Sequence, residues 1–67
     1  MKTVFKMELY HINTTITLMK NGENNFSIEI ENDVSKEHEY YEKLSYLDAE
    51  KLINDKVSKF AKTLKVR

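Results

Sequence analysis

The sequence predicts an α+β fold in which an antiparallel β-meander of three or four strands packs against one C-terminal amphipathic helix. Three observations lead to this prediction. Apolar and polar residues alternate over 5–9, and an Asn-Gly pair separates two further alternating segments, 14–19 and 26–31. Apolar residues then recur at helical spacing over 49–64. A length of 67 residues limits the chain to a single small domain, 1–67.

The first strand is predicted over 3–12, where Phe5, Met7 and Leu9 point to one face and the charged residues between them point to the other. The inward residues are odd-numbered in this strand and even-numbered in the next one. A slip of one residue exchanges the two faces of a strand, so the change of phase requires a turn or bulge. We expect a tight connection over 11–13.

A β-hairpin is the strongest local prediction. The β-branched segment 14–19 forms its first strand, and 26–31 forms its second. Asn-Gly supplies the two positive φ angles of a type I′ turn, which places the predicted turn at Asn21 and Gly22. Asn24 and Asn25, which follow, can lengthen this loop. Alternate residues of the second strand lie on opposite faces, the inward ones being Phe26, Ile28 and Ile30 and the outward ones Ser27, Glu29 and Glu31.

The segment 36–44 is compatible with a strand or a helix. As a helix, its apolar stripe would point away from that of 49–64, so one continuous helix would need a separate partner for each face. As a strand, it leads directly into Ser45, whose hydroxyl can cap the helix that follows. We therefore favour the strand, with Asn32 and Asp33 forming the turn before it.

The C-terminal helix is predicted over 45–65. Ser45, followed three residues later by Asp48, resembles a capping box, and lysines near the end suit the helix dipole. Its apolar residues share one face and would cover the sheet. The predicted core therefore comprises Phe5, Met7, Leu9, Ile16, Leu18, Phe26, Ile28, Ile30, Leu44, Ile53, Val57, Phe60 and Leu64.

Composition excludes several classes of protein. Lys and Arg number 11, as do Asp and Glu, and this zero net charge argues against indiscriminate nucleic-acid binding. The absence of Cys excludes a disulfide-stapled scaffold. No apolar run could span a bilayer, and charges interrupt the N-terminal segment where a signal peptide would be apolar. We therefore expect a cytoplasmic protein with no membrane partner.

No motif in the sequence predicts catalysis or metal binding. Glu37, His38 and Glu39 are consecutive, and consecutive residues of a strand face opposite sides, so the three cannot converge on one ion. The acidic segment lacks the ligand spacing and central Gly of a calcium loop. Neither a nucleophile motif nor a phosphate-binding loop occurs. We expect no enzymatic activity and no cofactor.

An acidic, tyrosine-bearing segment, 29–46, is the candidate protein-binding surface. Nine carboxylates face only two lysines between 23 and 50. An exposed tyrosine offers apolar area with a polar tip, and surrounding carboxylates can steer a basic partner. The alternative is that the tyrosines only shield the sheet edge and the helix end. The predicted binding residues are Tyr40, Tyr41, Tyr46, Glu29, Glu31, Glu39 and Glu42.

Two other functions are compatible with the sequence. One is a dimeric nucleic-acid-binding regulator, and the other is a subunit of a larger assembly. A homodimer would enlarge a small core and cover an exposed sheet edge, and we weigh it equally with a monomer. We favour an inhibitor or modulator of another protein, and the size and the Lys- and Asn-rich composition suit a phage or mobile element. Nucleic-acid binding would use the lysine face of the helix, Lys51, Lys59, Lys62 and Lys65.

Overall fold

Within residues 2–61, which are those that the computed structural model describes, four antiparallel strands form one sheet in chain order. One helix follows them. This arrangement confirms the predicted α+β fold, and it resolves the choice at 36–44 in favour of a strand. The elements are β1 (Lys2–Leu9), β2 (Thr14–Gly22), β3 (Asn25–Asn32), β4 (His38–Leu44) and α1 (Tyr46–Ala61).

The connection between β1 and β2 is one turn of 3₁₀ helix, Tyr10–Ile12, which ends at Asn13. Asn13 has a φ of 53°, in the left-handed region that Asn enters more readily than most residues. Leu9 pairs with Thr14 directly across this turn. The structure thus confirms a tight connection, although it begins at Tyr10 and β1 ends at Leu9, before the predicted limit of residue 12.

The β2–β3 hairpin is confirmed, but its turn lies beyond the Asn-Gly pair. Gly22 pairs with Asn25, and the loop consists of Glu23 and Asn24 alone. Asn24 has a φ of 52°, whereas neither Asn21 nor Gly22 has a positive φ. The prediction of a type I′ turn at Asn21 and Gly22 is therefore wrong.

An irregularity in β2 explains the displaced turn. The register shifts between Lys20 and Gly22, which allows the strand to continue past Asn21. The Asn21 side chain donates from Nδ2 to Ser27 Oγ across the hairpin at 2.5 Å. The amide that would shape a turn is thus used to join two strands.

Asn32 organises the turn between β3 and β4, as predicted. Its Oδ1 accepts hydrogen bonds from the backbone N–H groups of Val34 (2.9 Å) and Ser35 (2.7 Å). Its Nδ2 donates to the carbonyl of Ile12 (2.9 Å) and to Thr14 Oγ1 (3.2 Å). One side chain therefore joins the two connections at this end of the sheet.

The start of α1 is capped from two directions. Ser45 Oγ accepts the backbone N–H of Asp48 at 3.1 Å, which confirms the predicted cap. Asn24 Oδ1, at the tip of the hairpin, accepts the backbone N–H of Tyr46 at 2.9 Å. The second cap fixes the helix start against the sheet.

The core lies between α1 and one face of the sheet. Every predicted core residue within the described chain is buried or packs against the buried cluster, and Leu64 lies outside the described residues. No helix within residues 2–61 has the length and apolar character needed to cross a bilayer. The buried hydrophobic residues of the described chain are Ile16, Leu18, Phe26, Ile28, Ile30, Ala49 and Ile53.

Candidate functional site

The described helix packs on only one face of the sheet, the face that carries the buried core. We call the opposite face the open face. Side chains at alternate positions of a strand share a face, so the strand register determines which residues lie there. They are Thr3, Lys6, Glu8, Thr15, Thr17, Met19, Ser27, Glu29, Glu31, His38 and Tyr40.

Two rows of directly opposed residues cross the open face from β1 to β4. Opposed side chains in an antiparallel sheet lie about 5 Å apart and interact with one another. The rows therefore act as continuous strips of surface rather than as isolated residues. One row is Lys6, Thr17, Glu29 and Tyr40, and the other is Glu8, Thr15, Glu31 and His38.

A shallow acidic hollow of ≈ 300 Å³ lies on the open face. Because β2 lies between β1 and β3, its short threonines form the floor and the longer charged side chains form the walls. Four carboxylates and one lysine line it. Such a surface can accept the N–H donors of ammonium or guanidinium groups. Its lining residues are Lys6, Glu8, Thr15, Thr17, Glu29, Glu31 and Asp33.

Tyr40 stands beside the hollow and is 44% exposed. Its hydroxyl donates to Ser27 Oγ at 3.4 Å, and the same oxygen accepts from Asn21 Nδ2. Ser27 is fully buried although it lies on the outward face predicted for it, because these neighbours cover it. The tyrosine ring is thus held in place while part of it remains exposed.

Glu29 is also held by a neighbour. Nε2 of His38 lies 2.8 Å from Glu29 Oε2, which makes a hydrogen bond that becomes an ion pair when the imidazole is protonated. On β1, the Tyr10 hydroxyl donates to Glu8 Oε1. These contacts orient two of the carboxylates that border the hollow.

Tyr41 and Glu39 lie on the helix side of the sheet. Glu39 Oε1 accepts from the Tyr41 hydroxyl (2.5 Å) and from Lys56 Nζ (3.0 Å), and that ammonium lies 5.7 Å from the Tyr41 ring centre. The hydrogen bonds from Tyr41 and Lys56 lower the pKa of Glu39, and the bond to Glu39 raises the pKa of Lys56. The three side chains fasten α1 to β4.

The two remaining predicted protein-binding residues lie near the junction of β4 and α1. Tyr46 is the first residue of α1, where its ring meets Phe26 edge-on at 5.8 Å. Glu42 is exposed beside Lys43, whose φ of 59° marks the irregularity of β4. Of the seven predicted residues, the open face brings together Glu29, Glu31 and Tyr40.

Two of the four predicted nucleic-acid-binding lysines are among the residues that the structure describes. Lys51 and Lys59 are exposed on α1, and Lys62 and Lys65 lie outside the described residues. Lys56, which the prediction did not include, is engaged with Glu39.

Sequence reasoning missed the contribution of the first two strands to the open face. Lys6, Glu8, Thr15 and Thr17 were available from the alternation that predicted β1 and β2. The register of the hairpin is needed to align those outward residues with Glu29 and its neighbours.

Among the described residues, no group of three or more His, Asp or Glu side chains is placed to hold a metal ion. No family model matches the sequence, and neither a curated protein nor a solved structure matches it significantly.

Proposed function

We propose that the protein is a non-enzymatic, cytoplasmic protein-binding module that inhibits or modulates another protein through the open face. The observation that carries the proposal is the placement of Glu29, Glu31 and Tyr40 on one face of the sheet, around an acidic hollow. Its small size and composition suit a product of a phage or mobile element.

The chemistry of the open face favours a basic partner segment. Carboxylates on both walls of the hollow would accept hydrogen bonds from lysine or arginine side chains. The exposed ring of Tyr40 would add apolar contact area next to those charged contacts. Long-range attraction between the acidic face and a basic segment would also speed association.

The same charges disfavour nucleic acid on this face, since Glu29 and Glu31 would repel phosphate groups. Nucleic-acid binding would instead use the helix, where Lys51 and Lys59 are exposed. A labelled DNA duplex at low salt separates the two functions. We expect no binding, whereas binding that weakens steeply with salt and is lost on Lys51→Gln/Lys59→Gln would favour the alternative.

Affinity capture from a host lysate, followed by titration of the purified partner, tests the proposal. The triple variant Glu29→Gln/Glu31→Gln/Tyr40→Ala should lose the partner, with at least a tenfold weaker dissociation constant on titration, equivalent to about 1.4 kcal/mol. Lys51→Gln/Lys59→Gln is the matched control from the helix and should bind normally.

A tyrosine pair sharpens this test. Tyr40 and Tyr46 are both exposed, but only Tyr40 lies on the open face. Tyr40→Ala should weaken binding and Tyr46→Ala should not. Equal retention of the partner by the wild type and the triple open-face variant would contradict the proposal.

A further inference from the structure

The first strand has an apolar side that α1 covers incompletely. A groove of ≈ 360 Å³ runs between β1 and α1, and Phe5, Met7 and Ile53 are among the residues that line it. Val4, which also lines the groove, is 49% exposed. Among the described residues, β1 is also an edge strand, and no other described strand pairs with the backbone N–H and C=O groups on its outer side.

Only part of β1 is regular enough to pair with another strand. The register shifts between Thr3 and Phe5, and the 3₁₀ turn begins at Tyr10. The regular segment is therefore 5–9, and its midpoint is Met7.

We propose that β1 pairs antiparallel with β1 of a second copy of this chain, with Met7 opposite Met7 at the two-fold axis. Phe5 of each copy then lies opposite Leu9 of the other, on the side of the sheet that carries the helices. Lys6 of each copy lies opposite Glu8 of the other, on the open face. The partly buried apolar residues of β1 gain apolar neighbours from the second copy.

Charge complementarity selects this register. Lys6 and Glu8 pair with Thr17 and Thr15 on β2, which are neutral. Neither charge therefore has a residue of opposite sign as its cross-strand neighbour on β2. Registers that keep both apolar faces on the same side differ by steps of two residues. A shift of one such step would place Lys6 of one copy opposite Lys6 of the other, and a shift in the other direction would do the same for Glu8. Like charges that face each other directly across two strands are destabilising.

The dimer is closed because each copy uses its β1 edge once. It would contain a continuous eight-stranded sheet, with both helices on one side and both open faces joined on the other. Each dimer would therefore carry two acidic hollows on one surface, which would suit a partner with repeated basic segments.

Sedimentation across a concentration series, with circular dichroism to verify folding, tests the charge pairing. Wild type should dimerise reversibly. Lys6→Glu alone and Glu8→Lys alone should each weaken the dimer by about tenfold, because each puts like charges opposite each other twice. The double variant Lys6→Glu/Glu8→Lys should restore it, and an equimolar mixture of the two single variants should form a heterodimer. A wild type that stays monomeric, or single variants that dimerise as tightly as wild type, would overturn the proposal.

Cross-linking measures the register independently of those charges. The chain has no Cys, so one introduced Cys is a unique probe. Met7→Cys should form an intermolecular disulfide on oxidation, because directly opposed Cα atoms lie about 4.5–5.5 Å apart. Leu9→Cys should not, because position 9 of one copy would lie about 14 Å along the strands from position 9 of the other. Cross-linking of Leu9→Cys without Met7→Cys would show that another register or another interface is used.

Discussion

Asparagine, rather than glycine or proline, shapes the connections of this chain. The sequence contains one Gly and no Pro. Asn13 and Asn24 adopt positive φ angles, and the side chain of Asn32 bonds to both connections at one end of the sheet. Asn accepts the left-handed conformation and also hydrogen-bonds to nearby backbone, so one residue type does both.

Asn32 is the connection residue whose loss should destabilise the protein most. Asn32→Ala removes four hydrogen bonds, and we expect unfolding to cost about 2 kcal/mol less because backbone groups lose their partners. Urea denaturation measures this difference. Asn32→Asp keeps the acceptor and loses the donor, so its effect should be intermediate. A loss no larger than that of an ordinary surface substitution would show that the turn does not depend on this side chain.

The Glu39–Lys56 pair should give stability a defined dependence on pH. Glu39 has a lowered pKa in the folded protein, so its contribution is present above the ordinary carboxyl value of 4.5 and is lost as the pH falls through the folded value. Lys56 has a raised pKa, so its contribution is complete below the ordinary value of 10.5 and is lost as the pH rises through the folded value.

Substitution isolates that contribution. Glu39→Gln should lower stability near neutral pH by up to about 1 kcal/mol, since exposed pairs contribute no more than this, and should flatten the acid limb of the stability curve. Glu42→Gln, on the same strand, is the control and should change neither. An unaltered acid limb in Glu39→Gln would mean that the pair does not stabilise the fold.

Among the secondary-structure elements, the alternation of apolar and polar residues predicted the strands well. The Asn-Gly pair, however, predicted the wrong position for the loop between β2 and β3. The register of β2 and β3 keeps the inward residues together, and the irregularity at Asn21 moves the turn beyond Gly22. Tyr40 and Tyr41 face opposite sides of β4, as expected for a strand. The side that the helix leaves open therefore determines which of the two tyrosines can contact a partner. Sequence alone could not choose between them, since that requires knowing which face the helix covers.

Local sequence patterns could not predict that Asn24 caps α1, because Asn24 and the N–H group of Tyr46 that it accepts are 22 positions apart. Asn24→Gly removes the cap while accommodating the positive φ, so we expect a loss of about 1 kcal/mol in unfolding free energy. Asn24→Asp retains an acceptor and should preserve stability. Ser45→Ala should cost a similar amount, and the double variant should lose more than either single variant, because the two side chains cap different N–H groups of one helix start. Denaturant titration of the three variants and the double variant checks this, and a loss in Asn24→Asp equal to that in Asn24→Gly would contradict a capping role.

In the molecule as a whole, the residues that stabilise the fold and those proposed to bind a partner lie on opposite faces of the sheet. A chain of this length buries only about 60% of the surface it exposes when unfolded, so its core is small and sensitive. The helix side supplies that core, and the open face carries polar residues. Alternation predicted which side of β3 is inward. It could not predict that the helix would leave the groove beside β1 uncovered, because that depends on where α1 crosses the sheet.

This separation predicts opposite outcomes on the two sides of β3. Ile28 is fully buried, so Ile28→Ala should lower stability by about 3 kcal/mol. Glu29→Gln/Glu31→Gln should leave stability unchanged or raise it by a few tenths of a kcal/mol, because it relieves repulsion between carboxylates. Thermal and urea unfolding of the purified variants provide the comparison. A large loss of stability in the glutamine variant would mean that the open face supports the fold instead of being free to bind.

Photo-cross-linking to the captured partner shows directly whether the partner binds the open face. A photo-reactive benzoylphenylalanine replaces Thr17 on the floor of the hollow in one protein and Lys51 on the outer side of α1 in another. We expect irradiation to join the partner to the probe at position 17 and not to the probe at position 51. Cross-linking at position 51 alone would place the binding surface on the helix and rule out binding through the open face.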